Sequence, residues 1–103
     1  MEERFIKSIL SCESWFKSQG FRTQANLPER LFKPRAINGI IPDVFAVKGY
    51  YCVAVCIDDN ANFCASGGNY NCLSDWLYAE RREFIVACPG DWPGASYTKL
   101  FPT

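Results

Sequence analysis

Residues 41–60 read IPDVFAVKGYYCVAVCIDDN, and this stretch decides the fold. A Pro-Asp pair opens one apolar run, Gly49 interrupts it, and a second apolar run ends in two aspartates. Proline is tolerated at the first residue of a strand, and glycine favours a turn. The pattern therefore predicts a hairpin of two strands, residues 40–47 and 51–57, with acids at both ends. The second run is apolar at nearly every position, which is typical of a strand buried on both faces.

The remaining segments complete a small domain around this hairpin. Apolar residues recur at helical spacing near the N-terminus, and Gly20 is a natural helix stop. The chain's 103 residues suit a single domain. Proline and glycine between 89 and 94 predict an irregular tail over 91–103, packed on the core through its aromatic residues. The predicted order is a helix over 2–19, strands over 21–25, 40–47 and 51–57, a helix over 72–83, and a strand over 84–88.

Charge is balanced overall but divided along the chain. Residues 1–49 hold eight basic and five acidic side chains, which gives a net charge of +3. Residues 50–103 hold three basic and six acidic side chains, which gives −3. A neutral chain lacks a general attraction to phosphate, so nucleic-acid binding would need a local patch. The candidate patch lies within residues 22–35, which hold four basic residues and one Glu. The alternative interpretation of this segment is a solvated loop with ordinary surface charges. Its members are Arg22, Arg30, Lys33 and Arg35.

Cysteine and histidine content restricts the chemistry. The chain has six cysteines and no histidine, so Ser-His-Asp and Cys-His catalysis lack their base. No secretory signal and no membrane-spanning run is evident, which predicts a cytoplasmic protein with reduced thiols and no membrane association. A further alternative is a thiol-based sensor or metal binder that uses Cys52, Cys56, Cys64 and Cys72. These cysteines are 4, 8 and 8 residues apart, so they lack the C-x2-C pair that is typical of zinc sites.

The order of elements, the Pro-Asp dipeptide and the buried strand after it together resemble the PD-(D/E)xK nuclease superfamily. This superfamily includes restriction endonucleases and Holliday-junction resolvases. The resemblance spans residues 1–90 and rests on IPDVFAVKGYYCVAVCIDD, on a helix ending in SQGF, and on CLSDWLYAERREFIVACP. It implies an α/β (α+β) fold with an αβββαβ restriction-endonuclease-like core, in which a central mixed sheet is flanked by helices. In that family two acids hold Mg²⁺, and a lysine orients the attacking water.

The resemblance assigns positions in this chain, and two of them depart from the family pattern. Asp43 matches the first acid, Cys56 stands at the (D/E) position, and Asp58 stands at the lysine position. Sulfur is a poor ligand for a hard ion such as Mg²⁺. Asp58 would then be the second metal ligand beside Asp43, and Glu80 a displaced carboxylate, giving a catalytic set of Asp43, Asp58 and Glu80. Glu3 or Glu13 would be an additional acid.

Two functions follow from the resemblance. The first is a catalytically degenerate nuclease-fold protein without a cofactor, which binds nucleic acid, another protein or a second copy of itself. The second is an active Mg²⁺- or Mn²⁺-dependent endonuclease with a rearranged site. Against both stands a purely structural role, in which Asp43 caps a loop and Cys56 packs in the core.

Overall fold

A five-stranded mixed sheet, whose strands lie side by side in chain order, forms the centre of the structure. The computed structural model describes residues 2–59 and 70–101. Strands β3 and β4 pair in parallel and the other neighbours are antiparallel. This confirms the predicted α+β class in one small domain. The elements are α1 (Glu3–Ser18), β1 (Arg22–Ala25), β2 (Val44–Lys48), β3 (Tyr51–Ile57), a 3-10 turn (Asn71–Leu73), α2 (Ser74–Leu77), β4 (Arg82–Ala87) and β5 (Tyr97–Leu100).

Helix α1 ends in a Schellman motif, as its glycine predicted. Gly20 has a φ of +90°, in the left-handed region that favours glycine. The Phe21 amide donates to the Phe16 carbonyl and the Gly20 amide to the Lys17 carbonyl, both at 3.0 Å. The rings of Phe16 and Phe21 pack edge to face at 5.2 Å. Within the described residues no helix, α1 included, has the length and apolar character needed to cross a membrane.

Helix α1 covers one face of the sheet. Its apolar stripe of Ile9, Cys12 and Phe16 packs on the side chains that alternate along the strands, in agreement with the predicted strand parity. The strand residues of this cluster are Ala25, Val44, Ala46, Val53, Val55, Ile57, Ile85 and Ala87. Trp92, in the segment after β4, packs against the same cluster and places the loop that precedes β5 on the core.

The opposite face is covered over only part of its width. Leu73 and Leu77 pack on Phe84 and on the β3 and β4 residues that point away from α1. Five strands span about 19 Å at ~4.8 Å per spacing, whereas one helix is about 10 Å across. Helix α2 therefore covers β3 and β4, and no helix of residues 2–59 or 70–101 lies over the β1–β2 half of this face.

The structure differs from the predicted elements at three places. Strand β2 begins at Val44 rather than at residue 40, and Ile40 instead forms an isolated bridge with Ile37. Helix α2 ends at Leu77 rather than at residue 83, because a turn over 78–81 leads into β4, which pairs with β3 from Arg82 onward. Arg81 takes a left-handed φ of 64° that breaks the helix, and its carbonyl accepts the Cys52 amide at 2.9 Å. The tail is irregular only as far as residue 96, since β5 pairs with β4 along the sheet edge.

A buried ion pair joins α1 to the loop that follows β1. The Glu13 side chain is only 4% exposed, and its Oε1 accepts from Arg30 Nη2 at 2.8 Å. Its Oε2 accepts from Arg30 Nη1 at 3.0 Å and from Thr23 Oγ1 at 2.9 Å. Burial of the Glu13 carboxylate raises its pKa, but the hydrogen bonds from Arg30 and Thr23 outweigh burial and hold the pKa below its ordinary value.

We expect Glu13→Gln to lower the free energy of unfolding at pH 7 by about 2 kcal/mol, since it removes charge-assisted hydrogen bonds. Because the folded-state pKa of Glu13 is depressed, its stabilisation is present above the ordinary value of 4.5 and is lost as the pH falls through the folded pKa. Urea unfolding at a series of pH values from 7 to 3 measures this. The control is Glu3→Gln, which removes the exposed pair with Lys7 and should change stability little. An effect of Glu13→Gln that does not depend on pH would contradict the assignment.

Candidate functional site

Asp43 lies at the N-terminal end of β2, beside the C-terminal end of β3. Its Oδ2 accepts a hydrogen bond from the Ile57 amide at 2.7 Å. Its own backbone amide donates to the Val55 carbonyl, and its carbonyl accepts from the Asn26 amide, both at 2.8 Å. The side chain therefore closes the end of the β2–β3 ladder, which is the structural role that the sequence left open.

Burial raises the pKa of the Asp43 carboxyl above its ordinary value of 3.8. The hydrogen bond from the Ile57 amide opposes this effect, and the negative charge of Asp58 adds to it. The Asp43 carboxyl is thus influenced by the charge of Asp58.

Cys56 lies beside Asp43, near the C-terminal end of β3. The residue is 6% exposed and packs in the cluster under α2. Burial, followed by the charge of Asp43, raises the pKa of Cys56 to about 12, so the thiol is protonated at neutral pH. On the other side of the sheet, burial and the same aspartate raise the pKa of the Cys12 thiol. A neutral thiol next to Asp43 offers Mg²⁺ no second hard ligand.

Glu80 does not come near Asp43. It is an exposed residue in the turn before β4, next to Arg81, whose carbonyl accepts from the Cys52 amide. Asp43 lies beside Ile57, five residues further along β3, which corresponds to about 17 Å. Glu80 and Asp43, two members of the predicted catalytic set, therefore lie near opposite ends of β3.

The acids of α1 have other partners. Glu13 is bound by Arg30 and Thr23, and Glu3 forms an exposed pair with Lys7. Over residues 2–59 and 70–101, no three Cys, Asp or Glu side chains are grouped in a way that could hold a metal ion. Cys12, Cys52, Cys56 and Cys88 form no disulfide within the described part of the chain, and Cys64 lies outside the described residues.

Of the four predicted nucleic-acid-binding residues, Arg30 has a structural role and the other three face solvent. Arg30 is committed to the Glu13 carboxylate. Arg22, on β1, and Lys33 and Arg35, in the following loop, are exposed. Within the part of the chain that the structure describes, none of these three has a carboxylate within ion-pair distance.

These three cations surround the uncovered half of the sheet, which we name the open face. Strand pairing sets Arg22 beside Val47 and Gln24 beside Phe45, and these four side chains point away from α1. Two adjoining cavities of about 440 and 510 Å³ lie over them and share Gln24, Phe32 and Phe45. Their described lining contains no acidic residue; the remaining members are Thr23, Leu31, Lys33, Arg35 and Ile37. The open face is therefore a basic groove with an apolar floor.

The loop that forms one wall of the groove is fixed at three points. Leu27 and Pro34 are buried, and Arg30 between them is held by Glu13. Leu31 and Phe32, between Arg30 and Pro34, are 92% and 80% exposed. Because their neighbours are anchored, these two apolar side chains are held in solvent rather than folded into the core.

The sequence reasoning did not identify Leu31, Phe32 and Phe45 as parts of a binding surface. A signal for two of them is present in the stretch RLFKPR, where two apolar residues are flanked by basic ones. Apolar residues in such a loop are ordinarily expected to pack inward. The role of Phe45 depends on how far α2 extends across the sheet, which residue patterns do not reveal.

Comparison of the chain with models of known protein families, with curated proteins and with solved structures returned no match. The site is therefore interpreted from its own geometry.

We expect Asp43→Asn to keep or raise the free energy of unfolding at pH 7, because an amide oxygen can still accept from the Ile57 amide without burying a charge. The raised folded-state pKa of Asp43 means that its ionisation destabilises the fold above that pKa, and that this effect disappears as the pH falls below 3.8. The advantage of the variant should therefore shrink with acidification, which urea unfolding at pH 7 and pH 3 measures. Asp43→Ala is the control, since it leaves the Ile57 amide without its acceptor and should cost about 1–3 kcal/mol. Equal losses in both variants would overturn this prediction.

Proposed function

We propose that this domain is a nucleic-acid-binding module that does not cleave its ligand. The observation that carries the proposal is the open face, where Arg22, Lys33 and Arg35 surround a groove that contains Phe32 and Phe45. Exposed cations attract the phosphate backbone, and aromatic rings beside them offer surfaces for bases.

Charge favours nucleic acid over a second copy of the chain. The whole chain is neutral, yet the cations of the open face have no acidic partner among the described residues. A symmetric dimer through this face would set equal basic patches against each other, which is unfavourable. A polyanionic ligand instead neutralises the patch.

A fourth cation on the same sheet face extends the patch. Arg82 pairs with Cys52, which pairs with Val47 and through it with Arg22, so these residues form one row across four strands. Three strand spacings separate Arg22 from Arg82 by about 14 Å. The Arg82 guanidinium lies over the Trp76 ring, 5.2 Å from its centroid.

The chemistry around Asp43 supports binding without cleavage. Metal-dependent phosphodiester hydrolysis needs hard ligands around the ion. Near Asp43 the described structure has one further carboxylate, Asp58, and the protonated Cys56 thiol, while Glu80 lies at the far end of β3. Among the described residues these groups do not form a set of three that could hold a metal ion. The unbridged thiols of Cys12, Cys52, Cys56 and Cys88 are consistent with the reducing cytoplasm, which is the location we propose.

The double variant Lys33→Ala/Arg35→Ala should bind nucleic acid more weakly and with a smaller salt dependence. Each phosphate-contacting cation contributes about 0.7 to the slope of log K against log salt for single strands, so the slope should fall by about 1.4. Anisotropy titrations of a labelled oligonucleotide at several salt concentrations measure it.

The matched control is Lys7→Ala/Lys17→Ala, which removes the same charge from α1. This control should keep the wild-type slope. Equal slopes for the two double variants would mean that binding follows overall charge, and the assignment of the open face would then fail.

A metal-dependent nuclease remains the second candidate because of one observation. The charge of Asp58 raises the pKa of Asp43, so two carboxylates lie near each other at the end of the hairpin. Such a pair is poised to share a cation, since a metal ion removes the repulsion between them.

A cleavage assay on plasmid and branched DNA with Mn²⁺ separates the two candidates. We expect the wild-type protein to cut no faster than Asp43→Asn, which retains the hydrogen bond to Ile57. Metal-dependent cutting by the wild type that Asp43→Asn abolishes would support the nuclease and overturn the proposal of binding alone.

A further inference from the structure

We infer that the ligand of the open face is single-stranded DNA, and that one of its bases stacks on Phe32. This inference rests on the proposed function and specifies its ligand. It depends on the position of Phe32, its exposure, and the chemistry of the groove beside it.

Phe32 presents a ring to solvent in a fixed place. Its side chain is 80% exposed, although the loop around it is held by buried Leu27, by buried Pro34 and by the Arg30–Glu13 ion pair. A loop backbone anchored in this way loses little conformational freedom when a ligand arrives. Any base can stack on it, because every base has a π face.

The apolar floor of the groove favours a strand with unpaired bases. Phe45 and Val47 form this floor between Phe32 and Arg22. A duplex presents phosphates and sugars at its surface and keeps its base faces stacked inside, so it cannot cover an apolar floor with them. A single strand can place a base against the floor while its phosphates reach Arg22, Lys33 and Arg35.

The polar lining favours DNA over RNA. Recognition of RNA at a given site uses the 2′-hydroxyl, which needs hydrogen-bonding partners. Thr23 and Gln24 are the neutral polar side chains of the described lining, and the Thr23 hydroxyl donates to Glu13. Gln24 is then the one neutral side chain of the described lining that is left to bind a 2′-hydroxyl, so a strand of several nucleotides gains little from carrying this group. An acidic peptide would satisfy the cations but would give the Phe32 ring no stacking partner.

The test compares Phe32→Ala and Phe32→Leu with the wild-type protein. The probes are labelled single-stranded DNA, an abasic strand of the same length, the corresponding duplex, RNA of the same sequence, and polyglutamate. Loss of one stacked base should weaken binding of single-stranded DNA to Phe32→Ala about 5- to 150-fold. Phe32→Leu should lose most of the same affinity, since it keeps apolar area without a π face. Both variants should bind the abasic strand as the wild type does and keep the wild-type salt slope.

Phe101→Ala is the matched control, because Phe101 is 72% exposed and follows β5 at the opposite edge of the sheet. It should bind DNA as the wild type does.

Unchanged affinity of Phe32→Ala for single-stranded DNA would overturn the inference, as would tighter wild-type binding of duplex, RNA or polyglutamate. If the wild type binds none of the nucleic acids at low salt, the proposed function fails as well. The wild type could instead bind nucleic acid with a salt slope that falls in Lys33→Ala/Arg35→Ala, while Phe32→Ala leaves the affinity unchanged. In that case the proposed function stands and only the inference about Phe32 fails.

Discussion

Burial of both faces of β3 is the constraint on which the rest of the structure depends. Val53 and Val55 pack under α1, whereas Ala54 and Cys56 pack under α2. The same strand pairs antiparallel with β2 and parallel with β4, so no side of it meets solvent directly. Because parallel neighbours need a crossover, the segment between β3 and β4 must pass over one face. The parallel direction of β4 therefore explains why the chain places α2 over that face of the sheet.

This arrangement separates two regions with different electrostatics on one sheet face. At the C-terminal end of β3, Asp43 and Asp58 place negative charge beside a buried thiol. Across the open face, Arg22, Lys33 and Arg35 place positive charge around an apolar floor. The sign of the charge therefore reverses along β2. A polyanion is attracted to the second region and repelled by the first, so the domain favours contact with phosphate away from Asp43 and Asp58.

The predictable parts of the fold are those whose signals are local. The limits of β3, the hairpin and the glycine end of α1 follow from alternation and from turn chemistry within a few residues. The early end of α2 was not predictable, because strand pairing with Cys52 overrides the helical pattern of 78–83. Strand β5 was missed because four residues after a proline-rich stretch give a weak signal, and its stability comes from pairing with β4.

The candidate site shows the same division. Asp43, Cys56 and Asp58 share one end of the hairpin because of its strand parity, which is a local property of the sequence. The distance of Glu80 depends on where α2 ends, and the groove depends on how much of the sheet a helix covers. Both are tertiary properties, so residue spacing alone could not supply them. The ion pair of Arg30 with Glu13 is likewise a product of packing, which residue spacing does not reveal.

The exposed pair Leu31 and Phe32 also affects how the protein behaves in solution. Two large apolar side chains at 92% and 80% exposure lie beside a basic groove on a chain with zero formal net charge. At low ionic strength, like charges around the groove keep two such faces apart. Salt screens that repulsion while it strengthens the burial of apolar surface. The ligand-free protein is therefore least soluble where salt is high and the pH is near its isoelectric point of about 6.2.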